Sequence, residues 1–321
     1  MKIKGAFNKM KPRFFLLPLL VAIVLPSCGS TTSSTSSSTI PDSSVTVIEK
    51  TYQPQYTIPS DDDLDTSLSA NANDFDAKKV TKVESPLNGK YFYWLGSSVT
   101  YGASSNSVSM VEYLSALTGA TCKKDAISGT TLLCDMKSDN TGVKSYVNRL
   151  KTSKVFDENQ YLDAFICQIS TNDCTSERLS KRGEMTASDV FDMEQFDIAT
   201  TLGAVEYIIS YVTTTWDCPV YFYSGSYFSD GTNSAKRENG NPKGSDYATF
   251  VSQVKQIADK WNQGTDYHVG VIDMFNDEAF NAVASDKYYS WACNDPIHPR
   301  KAGYLQWWTP YIQAYLENEL A

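Results

Sequence analysis

"YFYWLGSSVTYG", Tyr91 to Gly102, decides the fold of this chain. Its first residues are aromatic or large and apolar, dense in strand formers and without the spacing of a helix. Small residues follow, with Ser97 and Ser98 side by side between Gly96 and Gly102. That order fits a buried strand ending in a tight turn into a helix, with one side chain lifted out of the strand's end.

The pattern repeats downstream. "CKKDAIS" (Cys122 to Ser128), "YLDAFICQIS" (Tyr161 to Ser170), "CPVYFYSG" (Cys218 to Gly225) and "YHVGVIDMF" (Tyr267 to Phe275) read as further strands. Between them lie segments with apolar residues at helical spacing: Val108–Gly119, Ile198–Val212, Asp246–Asn262 and, last, Ala302–Leu320. Strands alternating with helices predict an α/β fold, a three-layer α/β/α sandwich around a mostly parallel, flavodoxin-like sheet of about five strands. Functional loops of such a sheet gather at the carboxyl ends of its strands. Three segments qualify: Ser97–Gly102, Ser170–Asp173 and Asn294–Pro299.

The N-terminus stands apart from this pattern. Lys2, Lys4, Lys9, Lys11 and Arg13 precede the apolar run "FFLLPLLVAIVL", Phe14 to Leu25, which is short for a membrane-spanning helix. "LPSC" closes the run at Cys28 and resembles a bacterial lipoprotein signal. The resemblance implies residues 1–27 as a cleaved signal peptide, Cys28 as a lipidated N-terminus, and an extracytoplasmic protein held to the membrane by its lipid. Residues 28–84 read as a Ser/Thr-rich, acidic flexible tether, and 85–321 as the folded domain. "DDDLD" at Asp61–Asp65 lacks the spacing of a calcium loop and reads as solvated linker.

Of 321 residues 41% are hydrophobic and 20% charged, enough for one sizeable domain plus tails. The net charge of −9 argues against nucleic acid as a partner, because phosphate binding needs a basic surface. Six cysteines follow Cys28 (Cys122, Cys134, Cys167, Cys174, Cys218 and Cys293), and an exported chain leaves disulfides open. With no C-x-x-C pair, no metal site is expected.

Only two histidines occur. His268 sits inside a strand pattern and reads as a structural core or sheet-face residue. His298 sits in "CNDPIHPRKAGY" between two prolines, in an irregular loop before the last helix, with Asp295 three residues earlier. That spacing lets a carboxylate orient the imidazole and stabilise its protonated form. A serine hydroxyl is a weak nucleophile until a base takes its proton, so Ser98 with His298 and Asp295 is a candidate catalytic set.

Taken together, "LGSSVTYG", "AISGTTL", "ISTND" and "DPIHP" resemble the blocks of the SGNH hydrolases, also called the GDSL family, over roughly residues 90–320. The resemblance implies Ser98 as nucleophile, His298 as general base and acid, and Asp295 as its orienting carboxylate. It also implies an oxyanion hole from the Ser98 and Gly129 N–H groups and the Asn172 side chain, with no cofactor. Two positions depart from the family pattern: Ser97 stands where aspartate is usual, and Ser170 where glycine is frequent. A G-x-S-x-G elbow is absent around Ser98, which argues against an ordinary α/β-hydrolase.

Two long polar loops bear on the substrate. Cys174–Phe196 reads as a lid, a binding element or a plain solvated connection. Tyr223–Tyr247 begins with aromatic residues, which suit stacking on sugar rings. An acylated carbohydrate, with an acetyl ester foremost, is therefore the expected substrate. The alternative is a catalytically inactive surface-anchored glycan-binding or interaction lipoprotein on a hydrolase fold.

Overall fold

The structure is a computed structural model that describes residues 66–135, 144–230, 242–282 and 286–321. Cys28, the expected tether as far as residue 65, and with it Asp61–Asp65, lie outside the described residues. No helix among the described residues is long and apolar enough to cross a membrane.

The elements in chain order are β1 (Tyr91–Gly96), α1 (Ser98–Tyr101), α2 (Met110–Thr118), β2 (Thr121–Ala126), α3 (Tyr146–Thr152), β3 (Ala164–Gln168), α4 (Thr201–Trp216), β4 (Val220–Tyr223), α5 (Gly244–Gly264), β5 (Val269–Ile272), α6 (Glu278–Asn281) and α7 (Asp286–Ala292). A C-terminal helical run follows: α8 (Lys301–Gly303), a π turn over Tyr304–Trp308, and α9 (Thr309–Leu320). All five strands are parallel, in the order β2-β1-β3-β4-β5. This is the flavodoxin-like α/β arrangement that the alternation predicts. The chain leaves β1 toward β2 on one side and returns to β3 on the other. The crevice beyond the carboxyl ends of β1 and β3 is therefore the sheet's switch point.

The period of two along β1 assigns its side chains to two cores. Tyr93 and Leu95 face the layer of α3, α4 and α5, packing with Phe165, Phe222 and Val254. Phe92 and Trp94 face the layer of α2 and the C-terminal run, packing with Leu114, Trp308 and Leu316. From Phe92 to Gly96 every residue is buried, as covering on both faces requires. Each large side chain so buried contributes about 1.5–3 kcal/mol.

Three expectations need correction. The boundary at residue 85 is too late. Ala70 is buried, Ala77 and Val80 pack on the α2 layer, and the Trp291 indole N–H donates to the Leu68 carbonyl at 2.9 Å. A segment poor in apolar residues is held here mainly by backbone groups, which composition does not reveal. His268 is not a core residue. It precedes β5 at the sheet's amino end, half exposed, with Nε2 3.0 Å from Glu319. The loop after Cys174 is not a free connection either. Thr186 bonds Glu206 through its N–H (3.1 Å) and hydroxyl (2.8 Å), and Lys260 pairs with the same buried carboxylate at 2.6 Å. Arg182 lies 4.2 Å over the Phe250 ring. That segment is anchored to both α4 and α5.

Cys122, Cys167, Cys174, Cys218 and Cys293 carry free thiols, and all but Cys122 are buried, as is Cys134. Burial pushes the Cys122, Cys174 and Cys218 thiols up to about 12, so they pack as small apolar groups. No cluster of His, Cys, Asp and Glu suited to a metal ion occurs among the described residues.

Candidate active site

Gly96 ends β1 with no room for a side chain. A Cβ there would lie 1.7 Å from Thr100 Oγ1 and 2.9 Å from Gln168 Oε1. The chain can therefore fold at once into α1, whose first residue is Ser98. Ser97 would be expected to cap that turn, yet its side chain makes no capping bond. Gln168, at the end of neighbouring β3, does so instead. Its Oε1 accepts from the Ser97 N–H (2.9 Å), the Thr100 N–H (3.3 Å) and the Thr100 hydroxyl (2.8 Å). The Tyr304 hydroxyl donates to the Val99 carbonyl at 2.7 Å on the other side. A buried carboxylate at 97 is thus not needed to hold the turn. The Ser97 hydroxyl is fully buried and, among the described residues, meets no partner at hydrogen-bonding geometry.

From that turn Ser98 Oγ reaches His298 Nε2 at 2.8 Å. His298 Nδ1 lies 2.8 and 2.9 Å from the two Asp295 oxygens. Asp295 Oδ1 also accepts the Ile297 and His298 N–H groups at 2.9 and 3.0 Å. Burial acts to raise the Asp295 pKa. The hydrogen bond and charge of His298 and the two N–H groups outweigh it and hold the carboxyl at about 2. An ionised carboxylate only accepts, so Nδ1 carries the hydrogen. In the neutral ring Nε2 is then the acceptor facing Ser98. The loop itself is closed by a bridge between Cys293 and Pro299 and by Asn294 N–H to the His298 carbonyl, 2.9 Å.

Asn172 opens the turn after β3, and its side-chain Nδ2 donates to the Thr130 carbonyl at 2.9 Å. An amide nitrogen has two hydrogens, so one donor remains. Ser170 accounts for the departure at its position. Its hydroxyl accepts the Asn172 N–H and donates to the same Thr130 carbonyl, both at 3.2 Å. Glycine could do neither. Gly129 sits in the adjoining turn with φ +79°, a conformation that favours glycine, and open space where a Cβ would be. Asn172 and the turn at Gly129–Thr130 are thus brought together. Among the described residues neither Asn172 nor Gly129 hydrogen-bonds Ser98, and the Ser98 and Gly129 N–H groups form no backbone hydrogen bond.

Four supporting residues escape sequence reasoning. Besides Gln168 and Tyr304, Arg149 donates to the Gly96 carbonyl (2.8 Å), Thr130 Oγ1 (3.2 Å) and the Asp125 carbonyl (2.9 Å), joining the ends of β1 and β2 to the Gly129 turn. Asn71 joins the segments that follow Ser98 and His298. Its Nδ2 donates to the Ser104 carbonyl at 2.9 Å, and its Oδ1 accepts the Lys301 N–H at 3.0 Å.

Asp173, beside Asn172, is fully buried, and one of its oxygens has no partner. Burial pushes its pKa up to about 7, against the Leu132 and Leu133 N–H groups and the charges of Arg182 and Arg178. A carboxyl with a raised folded-state pKa costs stability as pH rises from its unfolded value, near 4, to 7. Asp173→Asn is therefore expected to raise Tm more at pH 8 than at pH 4.5, read by calorimetry at both. Parallel Tm curves for variant and wild type would contradict it.

No family model matches the chain, nor does any curated protein. Solved structures do. One is 21% identical, covering 73% of this chain and 99% of its own, with TM-score 0.57. A protein from Lactobacillus plantarum is also 21% identical, with the same coverage and TM-score 0.52. A carbohydrate esterase family 2 enzyme with a carbohydrate-binding domain, from Corynascus thermopiles, is 14% identical, covering 75% of this chain and 68% of its own, at TM-score 0.43. The first two establish a shared fold. The class defined is an α/β protein of the flavodoxin-like kind, carrying a hydrogen-bonded Ser–His–Asp row at its switch point.

Proposed function

We propose that this chain is a serine esterase of the SGNH type, acting on an acylated carbohydrate with an acetyl ester foremost. The observation that carries the reading is the 2.8 Å contact of Ser98 Oγ with His298 Nε2, backed by Asp295. Ser98 Oγ attacks the ester carbonyl carbon as its proton passes to His298 Nε2. The carbonyl oxygen becomes an oxyanion, for which the Ser98 N–H, the Gly129 N–H and the remaining Asn172 hydrogen are the donors. Each fixed donor is worth a few kcal/mol, about 10²–10³ in rate. Collapse breaks the bond to the alcohol oxygen, which takes the proton from His298. Water then attacks the acyl-Ser98, with His298 as base, and releases the acid. Asp295 stabilises the imidazolium in both halves.

On the sequence alone, Cys28 would carry a lipid and place the enzyme outside the cytoplasm on the bacterial membrane. The test of the activity is release of p-nitrophenol from p-nitrophenyl acetate by the folded domain. No turnover by wild type above buffer would overturn it.

The same reading gives Asn71 a positioning role, because it bonds both the segment after α1 and the one after His298. Asn71→Ala is expected to lower kcat about tenfold with little change in KM, since small misplacements of reacting groups cost that much or more. Unchanged kcat in a variant with wild-type Tm would remove Asn71 from the site.

A further inference from the structure

A cavity of about 420 Å³ opens at the carboxyl ends of β4 and β5, lined by Tyr227, Phe228, Asp230, Ser245, Phe275 and Asn276 among others. None of Ser98, His298 or Asn172 lines it. We propose that it is a glycan-binding subsite that holds a sugar residue of an extended substrate at a distance from Ser98. As a part of catalysis this rests on the esterase reading.

The first argument is Tyr227. Tyr227 is 54% exposed, so its ring is open to a ligand. It is nonetheless held rigidly. Its N–H donates to Asn281 Oδ1 at 2.9 Å, and Asn281 Nδ2 is fixed by the carbonyls of Met274 (2.8 Å), Phe275 (3.1 Å) and Asp277 (2.8 Å). The ring leans on Phe275, centroids 5.4 Å apart, and Phe275 packs in turn on Phe228 and Tyr247. An exposed aromatic face on so fixed a backbone is a preformed platform, and a sugar's C–H face is a fitting occupant.

The second argument is the polar rim. The Asn276 amide nitrogen donates to Asp273 Oδ2 at 2.9 Å, which leaves its carbonyl oxygen as a free acceptor. The Ser245 N–H and hydroxyl orient the Asp230 carboxylate, at 2.8 and 3.0 Å, and hold its pKa below the usual range. That carboxylate occupies the start of α5, where an anion would otherwise sit, so a phosphate or acid ligand is disfavoured. Oriented oxygen acceptors beside an aromatic face match neutral hydroxyl donors. A fatty acyl chain would leave those acceptors desolvated and unpaired.

The third argument is spacing. β3 separates β1 from β4, so the cavity lies two to three strand spacings from the strand that carries Ser98, on the order of 10–14 Å. A short ester at Ser98 does not span that gap, whereas an oligosaccharide does. Small and large substrates should therefore respond differently to changes at Tyr227.

The experiment compares wild type, Tyr227→Ala, Tyr227→Phe and Asn276→Ala on p-nitrophenyl acetate and on partially acetylated β-1,4-xylo-oligosaccharides. Binding of the unmodified oligosaccharides is followed in parallel by calorimetry. Tyr227→Ala should raise KM for the oligosaccharide ester about tenfold, leave kcat and the p-nitrophenyl acetate rates within about twofold, and weaken calorimetric binding by a similar factor. Tyr227→Phe should retain wild-type behaviour. Unchanged KM and binding in Tyr227→Ala would overturn the subsite, as would impairment confined to p-nitrophenyl octanoate, which would mark an acyl site. Absence of all turnover with Tyr227-dependent sugar binding intact would overturn the esterase reading and leave the subsite standing.

Discussion

Ser98→Ala is expected to lower kcat for p-nitrophenyl acetate at least about a thousandfold while leaving the fold intact. The size follows from the chemistry: without the hydroxyl no acyl-enzyme forms, and His298 can only assist a direct attack by water, with the oxyanion donors in place. The intact fold follows from the contacts. Among the described residues Ser98 Oγ hydrogen-bonds only His298, and that ring is partly exposed, so water can take the vacated place. The bonds that hold the turn come from elsewhere, from Gln168 and Tyr304, and Ala suits the first position of a helix. Tm should therefore stay within about 2 °C of wild type. Equal rates for Ser98→Ala and wild type would sink the proposed function, and the inactive-module alternative would then stand.

How far this was legible in the sequence differs from residue to residue. β1 was readable because unbroken apolar residues ending at a glycine admit few conformations. Asp295 and His298 were readable because both lie within one proline-bounded loop, where three residues of separation dictate nearness. Gln168 was not, because its part depends on β3 lying beside β1, a pairing between residues about 70 apart in the chain. Asn71 was hidden for the same reason, within a segment whose composition resembles a linker. The helix α3 went unassigned because it is short and its buried residues include Arg149, which breaks the apolar pattern. The departure at 170 is explained by a partner in space, Thr130, whereas at 97 Gln168 holds only the backbone N–H and nothing explains the Ser97 side chain.

Asp295→Asn is expected to lower kcat by about three to four orders of magnitude, with KM little changed. In the native loop Asp295 Oδ1 accepts the Ile297 and His298 N–H groups. An asparagine must keep its carbonyl there, because those two donors need an acceptor. Its NH₂ group then falls where Oδ2 stood, 2.9 Å from His298 Nδ1. Nδ1 then faces a carbonyl oxygen at 2.8 Å and an NH₂ donor at 2.9 Å, and the NH₂ donor favours the tautomer that carries its hydrogen on Nε2. The ring then presents N–H to Ser98 in place of a lone pair, and the base is lost with the geometry unchanged. The stability effect carries its own pH signature. Asp295 has its folded pKa lowered to about 2, so its contribution is present above the unfolded value near 4 and is lost as pH falls through 2. The Tm deficit of Asp295→Asn should therefore be visible at pH 6 and shrink toward pH 2.5. A variant that turns over ester near the wild-type rate would remove Asp295 from the catalytic row. A Tm deficit that stays constant with pH would instead separate its structural cost from its charge.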